Sequence, residues 1–380
     1  VLNLEEMKAI DLFAGAGGFS LAAFNLGIQV VAAIEIDTLA CETYRNNLIR
    51  NRCLGTHLIN QDILDVDPNE FMQDVGLKTK ELDILMGGPP CQGFSSHRIK
   101  NSGVDDPRNT LLIRYFDFVS TLRPKVFLLE NVPGLLWDRH KSYLEKFKFL
   151  AEEHGYHLFE PEIINAKDFG VPQNRSRVFI VGVRQEIKVR DDSWPPNPTH
   201  FKDKSPLWKN ASEVFEEPSQ SIMHKINRVL GEEITSKLSF GETIQVPTQD
   251  PSAIHMIHSE DLIKRFSITP INGSREDIDF TLPCHSNGYK GHKDVYGRIR
   301  LAQPGPTITT GCINPSKGRF LHPWLNHGIT IRHAARFQTF PDDYLFSGGI
   351  MSQSRQVGNA VPVILGQAVI RAVLDCLDIK

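Results

Sequence analysis

Cys91 follows two consecutive prolines in Gly88-Pro89-Pro90-Cys91-Gln92-Gly93-Phe94-Ser95, directly after the apolar run Leu82 to Met86. A cysteine on a stiff proline turn at the carboxyl end of a strand is aimed out of the core, where its thiolate can act as a nucleophile. Burial as a small apolar residue is the commoner fate of a free cysteine, but the prolines before it and the Gln-Gly-Phe-Ser stretch after it argue against that. Glu130-Asn131-Val132 ends the next apolar run, Lys125 to Leu129. A carboxyl beside an apolar strand end can be held protonated by desolvation and then donate to a ring nitrogen. Gln173-Asn174-Arg175-Ser176-Arg177 leads into the run Val178 to Val183, and strand alternation predicts Arg175 and Arg177 on one face. Two guanidiniums there could fix a polar base and its phosphate and lower the pKa of a nearby thiol, or could be ordinary surface charges.

A second set of residues points to a ligand. Asp11-Leu12-Phe13-Ala14-Gly15-Ala16-Gly17-Gly18 follows the apolar run from Met7 and opens a helical pattern. Glycines let the backbone approach a ligand closely, and a helix N-terminus favours negative groups. Glu35 ends the second apolar run, where a carboxylate can accept from ribose hydroxyls. Asp62 ends the third, where it can accept from an adenine amino group. Together they predict an adenosine-bearing cofactor. Ser20 stands where the G-x-G-x-x-G spacing of dinucleotide binders has its third glycine, which disfavours NAD. S-adenosylmethionine fits better, because it has an adenosine and no pyrophosphate to cradle.

These residues need a scaffold that brings strand ends together. Short apolar runs at Met7–Leu12, Gln29–Ile36, His57–Ile63, Leu82–Met86 and Lys125–Leu129 alternate with helical patterns. That rhythm predicts an α/β protein with an open, mostly parallel sheet and helices on both faces. Ligands bind such sheets at the carboxyl ends of the strands, where every polar feature named above falls. After Val183 the texture changes. Residues 193–206 are proline-rich, and the α/β pattern returns only at Ile331. A smaller irregular domain is therefore expected at 184–330, inserted into a discontinuous domain of 1–183 and 331–380. From Cys284 to Thr330 there are six Lys or Arg against the single acid Asp294, in a 380-residue chain of net charge −3. Such a stripe is either a solvated face or a phosphate-contacting surface. A hydrophobic fraction of 41% and a charged fraction of 23% exclude a disordered or collagen-like chain. The six cysteines form no C-x-x-C pair, so no zinc site is expected. No apolar run reaches 18 residues and Val1–Lys8 does not read as a secretion signal, so a cytoplasmic protein without a membrane partner is expected.

The segments Asp11–Ser20, Gly88–Ser95, Glu130–Val132, Gln173–Arg177 and Gln356–Pro362, with the helical stretch Arg332–Pro341, together resemble the ordered motifs of bacterial-type DNA (cytosine-5) methyltransferases. Six motifs in the right order and at the right separation make this a specific resemblance, covering about 1–183 and 330–380. It implies a Rossmann-like methyltransferase fold, with 184–330 as the target recognition domain. It implies methyl transfer from S-adenosylmethionine, leaving S-adenosylhomocysteine, to C5 of a flipped-out cytosine in duplex DNA, through a covalent adduct of Cys91 with C6. Glu130 would bond the ring nitrogen N3 and the exocyclic amine, Arg175 would hold the base through O2, Asn131 would brace the strand end, and Arg177 would brace Glu130 or the loop.

For the cofactor the resemblance points to Phe13, Gly15 and Gly17, to Glu35 and Ile36 at the ribose, to Asp62 and Ile63 at the adenine, and to Pro89, Leu111, Asn359 and Ala360. For DNA it points to Gln92, Ser95 and Arg98 in a mobile catalytic loop, and to Arg298, Arg300 and Thr307 in the recognition domain. No metal is implied. A bacterial cytosolic enzyme, monomeric on DNA, is the expected setting, with a cognate restriction endonuclease acting on the same site as a candidate companion that the sequence itself does not reveal. The rival readings are an RNA cytosine-5 methyltransferase, a catalytically silent DNA reader, and, weakest, an NAD-dependent dehydrogenase.

Overall fold

The structure is a computed structural model that describes residues 6–90, 110–190, 193–244, 254–278 and 294–377. The chain divides into two compact units. The first comprises Val1–Asn165, Ser176–Pro198 and Val363–Lys380, and the second Ala166–Arg175 and Thr199–Pro362. Two segments expected in the large domain, 166–175 and 331–362, therefore pack with the second unit, and only the C-terminal helix returns to the first.

The first unit is built on one sheet of β1 (Lys8–Leu12), β2 (Gln29–Glu35), β3 (His57–Asn60), β4 (Ile84–Gly87), β5 (Val126–Asn131), β6 (Tyr156–Leu158), β7 (Glu162–Asn165) and β8 (Ser176–Arg184). Its order is 3-2-1-4-5-8-6, with β7 also paired to β8. Strands β1 to β5 run parallel, and β8 pairs antiparallel with β5, β6 and β7. The order reverses direction between β1 and β4, and such a switch point opens a crevice at the strand ends. The helices here are α1 (Gly18–Asn25), α2 (Thr38–Tyr44), α3 (Pro68–Asp74), α4 (Thr110–Leu122) and α5 (Lys141–Glu153).

Alternation along β1 separates the two faces. Ile10 and Leu12 join one apolar core with Leu85, Phe116, Phe127 and Phe147, which takes in α4 and α5. Asp11 points the other way, where its carboxylate accepts from the amide (3.1 Å) and hydroxyl (2.7 Å) of Ser20 in α1. Burial pushes the Asp11 carboxyl up to about 7, against the lowering effect of both Ser20 bonds. One strand differs from the sequence reading. The third strand stops at Asn60, because Asp62 accepts from the amide of Leu64 (3.0 Å) and starts a 3-10 turn at Ile63–Asp65. The helix after β2 is capped by Asp37 and widens into a π-helical turn at Arg45–Arg50.

Among its described residues the second unit holds α6 (Gln220–Leu230), α7 (Glu232–Thr235), α8 (Glu260–Ile268), α9 (Ile331–Phe337) and α10 (Ile350–Asn359), joined by turns and isolated bridges rather than a sheet. Its interior is unusually polar. Arg298 is 3% exposed and donates five bonds: to the carbonyls of Phe266 (2.6 Å), Thr269 (2.8 Å), His322 (2.9 Å) and Leu325 (2.5 Å), and to Oδ1 of Asn326 (2.9 Å). Burial lowers its pKa to about 10. Arg319 is likewise inside, on Asp294 (2.7 Å) and three carbonyls. Two members of the basic stripe thus form the scaffold, which corrects the assignment of Arg298 to DNA. Arg298→Met is expected to lower folding stability by about 3–5 kcal/mol, since it leaves buried carbonyls unpaired. Denaturant unfolding checks this, with DNA affinity of the folded fraction unchanged.

A row of histidines crosses the same unit. His255 stacks on His327 (centroids 3.9 Å apart), His322 lies 5.3 Å from His327 and 5.4 Å from His333, and His333 Nε2 meets Glu216 Oε2 at 3.2 Å. Nδ1 of His322 accepts from the amides of Trp324 and Leu325, which requires that nitrogen to be unprotonated. Burial holds His322 well below the usual imidazole range and His258 below it, and pushes His327 down to about 4. These rings bind protons more readily when unfolded, so their stabilising contribution is complete above pH 6.5 and is lost as pH falls from 6.5 towards 4. The unfolding free energy is expected to be lower at pH 5.5 than at pH 7.5, by roughly 0.5–1 kcal/mol for His327 once the screening of its partly exposed ring is allowed for.

Candidate active site

At the carboxyl ends of β1 and β2, and beside the turn after β3, lies a cavity of about 280 Å³. Phe13, Ile36, Ile63, Leu64 and Leu111 supply its apolar lining, and Glu35, Gln61 and Asp62 its polar edge. Ile36 and Leu64 are 62% and 52% exposed, an open apolar rim of the kind that sandwiches a flat ring. The backbone reaches this edge in the left-handed region at Phe13, Gly15 and Gly17 (φ 60°, 55° and 88°). Space beside Gly15 is empty to 4 Å, and its amide donates to Oε2 of Glu35 (2.8 Å). Oε1 of Glu35 accepts from the amide of Asp37 (2.8 Å). Each carboxylate oxygen has capacity for a further bond, as a pair of ribose hydroxyls requires. Burial raises the Glu35 pKa, and the Asp37 and Gly15 amides oppose it. The set fits an adenosine: an apolar slot, a carboxylate fixed by two amides, and a second carboxylate at the far edge.

The next strand end adjoins this cavity. Tyr115, fully buried in α4, donates its hydroxyl to Leu85 O (2.9 Å) and Leu128 O (3.3 Å), bridging β4 and β5. Register pairs Gly87 with Leu129, so Gly88 and Glu130 come level. A Cβ on Gly88 would lie 3.0 Å from Glu130 Oε2, so glycine here leaves room for the carboxylate. Glu130 is 8% exposed, and its Oε1 is 2.7 Å from Nε of Arg177. Asn131 donates through Nδ2 to Pro89 O (3.2 Å) and accepts the Val132 amide (2.9 Å), tying the proline turn to β5. Pro90, the neighbour of Cys91, lines the cavity, whereas Pro89 is buried and is not one of its lining residues. Cys91, Gln92, Ser95 and Arg98 lie outside the described residues.

The two arginines part company. Strand β8 begins at Ser176, so alternation does not extend to Arg175. Arg175 is 1% exposed in the second unit, with Nη1 on Ile308 O (2.7 Å) and Nη2 on Gly358 O and Ala360 O (both 3.0 Å). Its guanidinium binds these three backbone carbonyls, and the strand begins only after it, so the shared strand face expected for the pair is corrected. Gln173, fully buried and passed over in the sequence reading, donates to Phe337 O and Gln338 Oε1 and accepts the Ile308 amide. Gln338 in turn donates to the carbonyls of Val357 and Ala360. This buried amide network fixes the end of α10, leaving the side chain of Asn359 exposed. Thr307 spends its hydroxyl on Asn174 O (2.7 Å), and Arg300 is exposed. Pro90, Gln61 and Leu64 are cavity residues that sequence reasoning missed; their nearness to Cys91 and Asp62 in the chain was the available signal.

Comparison with known proteins bears on this geometry. The family model described as C-5 cytosine-specific DNA methylase matches residues 7–375. Among curated relatives, the Type II methyltransferase M1.HphI of Haemophilus parahaemolyticus is 31% identical over 370 residues, covering 97% of this chain and 87% of the relative. The Type II methyltransferase M.Eco47II of Escherichia coli is 32% identical over 371 residues, covering 97% and 79%. Among solved structures, a protein assigned as a prophage-encoded DNA modification methyltransferase of E. coli superposes with a TM-score of 0.70 at 23% identity, covering 98% of this chain and 99% of the other, a likeness of fold.

Proposed function

The chain belongs to the C-5 cytosine-specific DNA methylase family and is a DNA (cytosine-5) methyltransferase, and from that premise we propose that it methylates C5 of a flipped-out cytosine through a Cys91–C6 adduct. One observation carries the reading: Pro90 lines the cavity, Cys91 is the next residue, and the Glu130–Arg177 pair stands on the adjoining strand end. Phe13, Glu35, Ile36, Asp62, Ile63 and Leu111 would hold S-adenosylmethionine, whose sulfonium supplies an electrophilic methyl group.

C5 of cytosine is a weak nucleophile inside an aromatic ring. Addition of the Cys91 thiolate to C6 breaks that aromaticity and makes C5 an enamine carbon. Glu130 meets N3 and the exocyclic amine as charge develops on the ring. Arg177, bonded to Oε1, orients the carboxyl, and we assign to it the contact with O2 that the resemblance gives to Arg175. After methylation, loss of the C5 proton and cleavage of the sulfur–C6 bond restore the ring and the thiolate. Because C6 is inaccessible in a stacked duplex, the base must leave the helix. Arg300 and the rest of 199–330 are the candidate surface for reading DNA, in keeping with a modification enzyme of the restriction-modification type.

The test combines methyl-labelled S-adenosylmethionine with duplex DNA, RNA, and duplex DNA carrying 5-fluorocytosine. Label on cytosine in DNA and a trapped adduct at Cys91 are expected. Label in RNA alone, or label in DNA with an adduct elsewhere, would overturn the proposal.

A further inference from the structure

Arg114 stands three residues beyond the cavity-lining Leu111, in the second turn of α4. Its guanidinium donates from Nε to Ile63 O (3.0 Å), from Nη2 to Val66 O (2.5 Å), and from Nη1 to Oδ2 of Asp117 (2.9 Å). The side chain is 18% exposed and lies over the Phe118 ring at 5.4 Å. Its two carbonyl partners belong to one feature, the turn Ile63–Asp65 and the residue that leaves it.

That turn is weak by itself. It is a single 3-10 turn, with Asp65 N bonded to Asp62 O (3.0 Å) and Val66 N to Ile63 O (3.4 Å). Short 3-10 segments have poor hydrogen-bond geometry and little cooperativity. Yet the turn and its cap carry Asp62, Ile63 and Leu64, a whole wall of the cavity. A planar, permanently charged fork can hold two carbonyls at once in a fixed relation, which an ammonium cannot.

We propose that Arg114 is a positioning residue for the wall that receives the nucleobase end of S-adenosylmethionine, acting through the carbonyls of Ile63 and Val66. The inference rests on the reading of the cavity as the S-adenosylmethionine site. Arg114 clamps both ends of the turn, so Asp62 and the apolar side chains beside it are set before the ligand arrives. A lysine reaches one carbonyl and restores part of the order; a methionine keeps the volume over Phe118 and restores none.

Calorimetric titration of wild type, Arg114→Met and Arg114→Lys with S-adenosylhomocysteine and with free adenosine tests this. Arg114→Met is expected to weaken both ligands by the same factor, on the order of tenfold for two lost hydrogen bonds, with Arg114→Lys between it and wild type. The equal factor separates a role at the nucleobase wall from general loosening, which lowers the melting temperature without selecting one end of the ligand. A folded Arg114→Met protein with unchanged affinities, or one weakened for S-adenosylhomocysteine and not for adenosine, would overturn the proposal. Should Arg114→Met not fold, unchanged affinities in Arg114→Lys would overturn it equally. A wild-type protein that binds neither compound would instead sink the cavity reading itself.

Discussion

Cys91→Ala is expected to reduce methyl transfer by about 10⁴-fold or more, since without a nucleophile at C6 the unactivated ring carbon must meet the methyl donor directly. Binding should survive, because the described lining of the cavity, Pro90 and residues of other elements, is unchanged in this variant. The measurement is single-turnover incorporation of labelled methyl, beside equilibrium binding of S-adenosylhomocysteine and of duplex DNA. Cys91→Ser is the sharper control. Its hydroxyl is nearly isosteric with the thiol yet far less acidic, so a serine variant as inert as the alanine one points to the thiolate. The 5-fluorocytosine adduct, stable to denaturation in the wild type, should be missing from both. Turnover close to wild type in either variant would end the covalent mechanism.

The second large effect is at Glu130. Glu130→Gln keeps the shape of the side chain and removes the carboxyl that pairs with Arg177 at 2.7 Å. A fall in kcat of roughly 10²–10³-fold is expected, in line with losing one preorganised proton-transfer or charge-stabilising group. Affinity for S-adenosylhomocysteine should be unchanged. Arg177→Met should show a similar fall, because the carboxyl loses the partner that orients it. The double variant should be scarcely slower than either single one, as expected of groups that act as a unit. Glu130→Ala is a poorer probe: it strands the Arg177 charge, whose side chain is 14% exposed, and mixes lost stability with lost catalysis. Full additivity of the two single effects would show that the pair does not work as one device.

The parallel half of the fold was legible because its strands are apolar runs punctuated by polar residues at their carboxyl ends. Phe13, Glu35 and Asp62, marked by that punctuation, line one cavity. What escaped depends on three-dimensional neighbours. No local pattern distinguishes Arg298, caged by five acceptors, from Arg300, which is exposed two residues later. Arg175 and Arg177 read as equivalent until the strand is seen to begin between them. Arg114 and Gln173 hold carbonyls far away in sequence, and composition carries no trace of such partners. The division of the chain was half legible for the same reason. The return to α/β texture at Ile331 is real as helix, but α9 and α10 belong with the second unit, and only the C-terminal helix, α11 (Val363–Cys376), closes the first.

That closing helix has a consequence for how the protein is made. Helix α11 (Val363–Cys376) packs on α1, with Gly366 so near that a Cβ there would come within 2.8 Å of Ala22. Helix α1 is the one that springs from the glycine turn. At ribosomal rates of about 5–20 residues per second, roughly 20–75 seconds separate synthesis of the first strand from synthesis of its cover. Throughout that interval the flank of α1 bearing Phe19 and Ala22 lacks its cover, and the first unit stays unfinished. The order in which the ribosome delivers these helices therefore sets the earliest moment at which a new copy can begin to mark DNA.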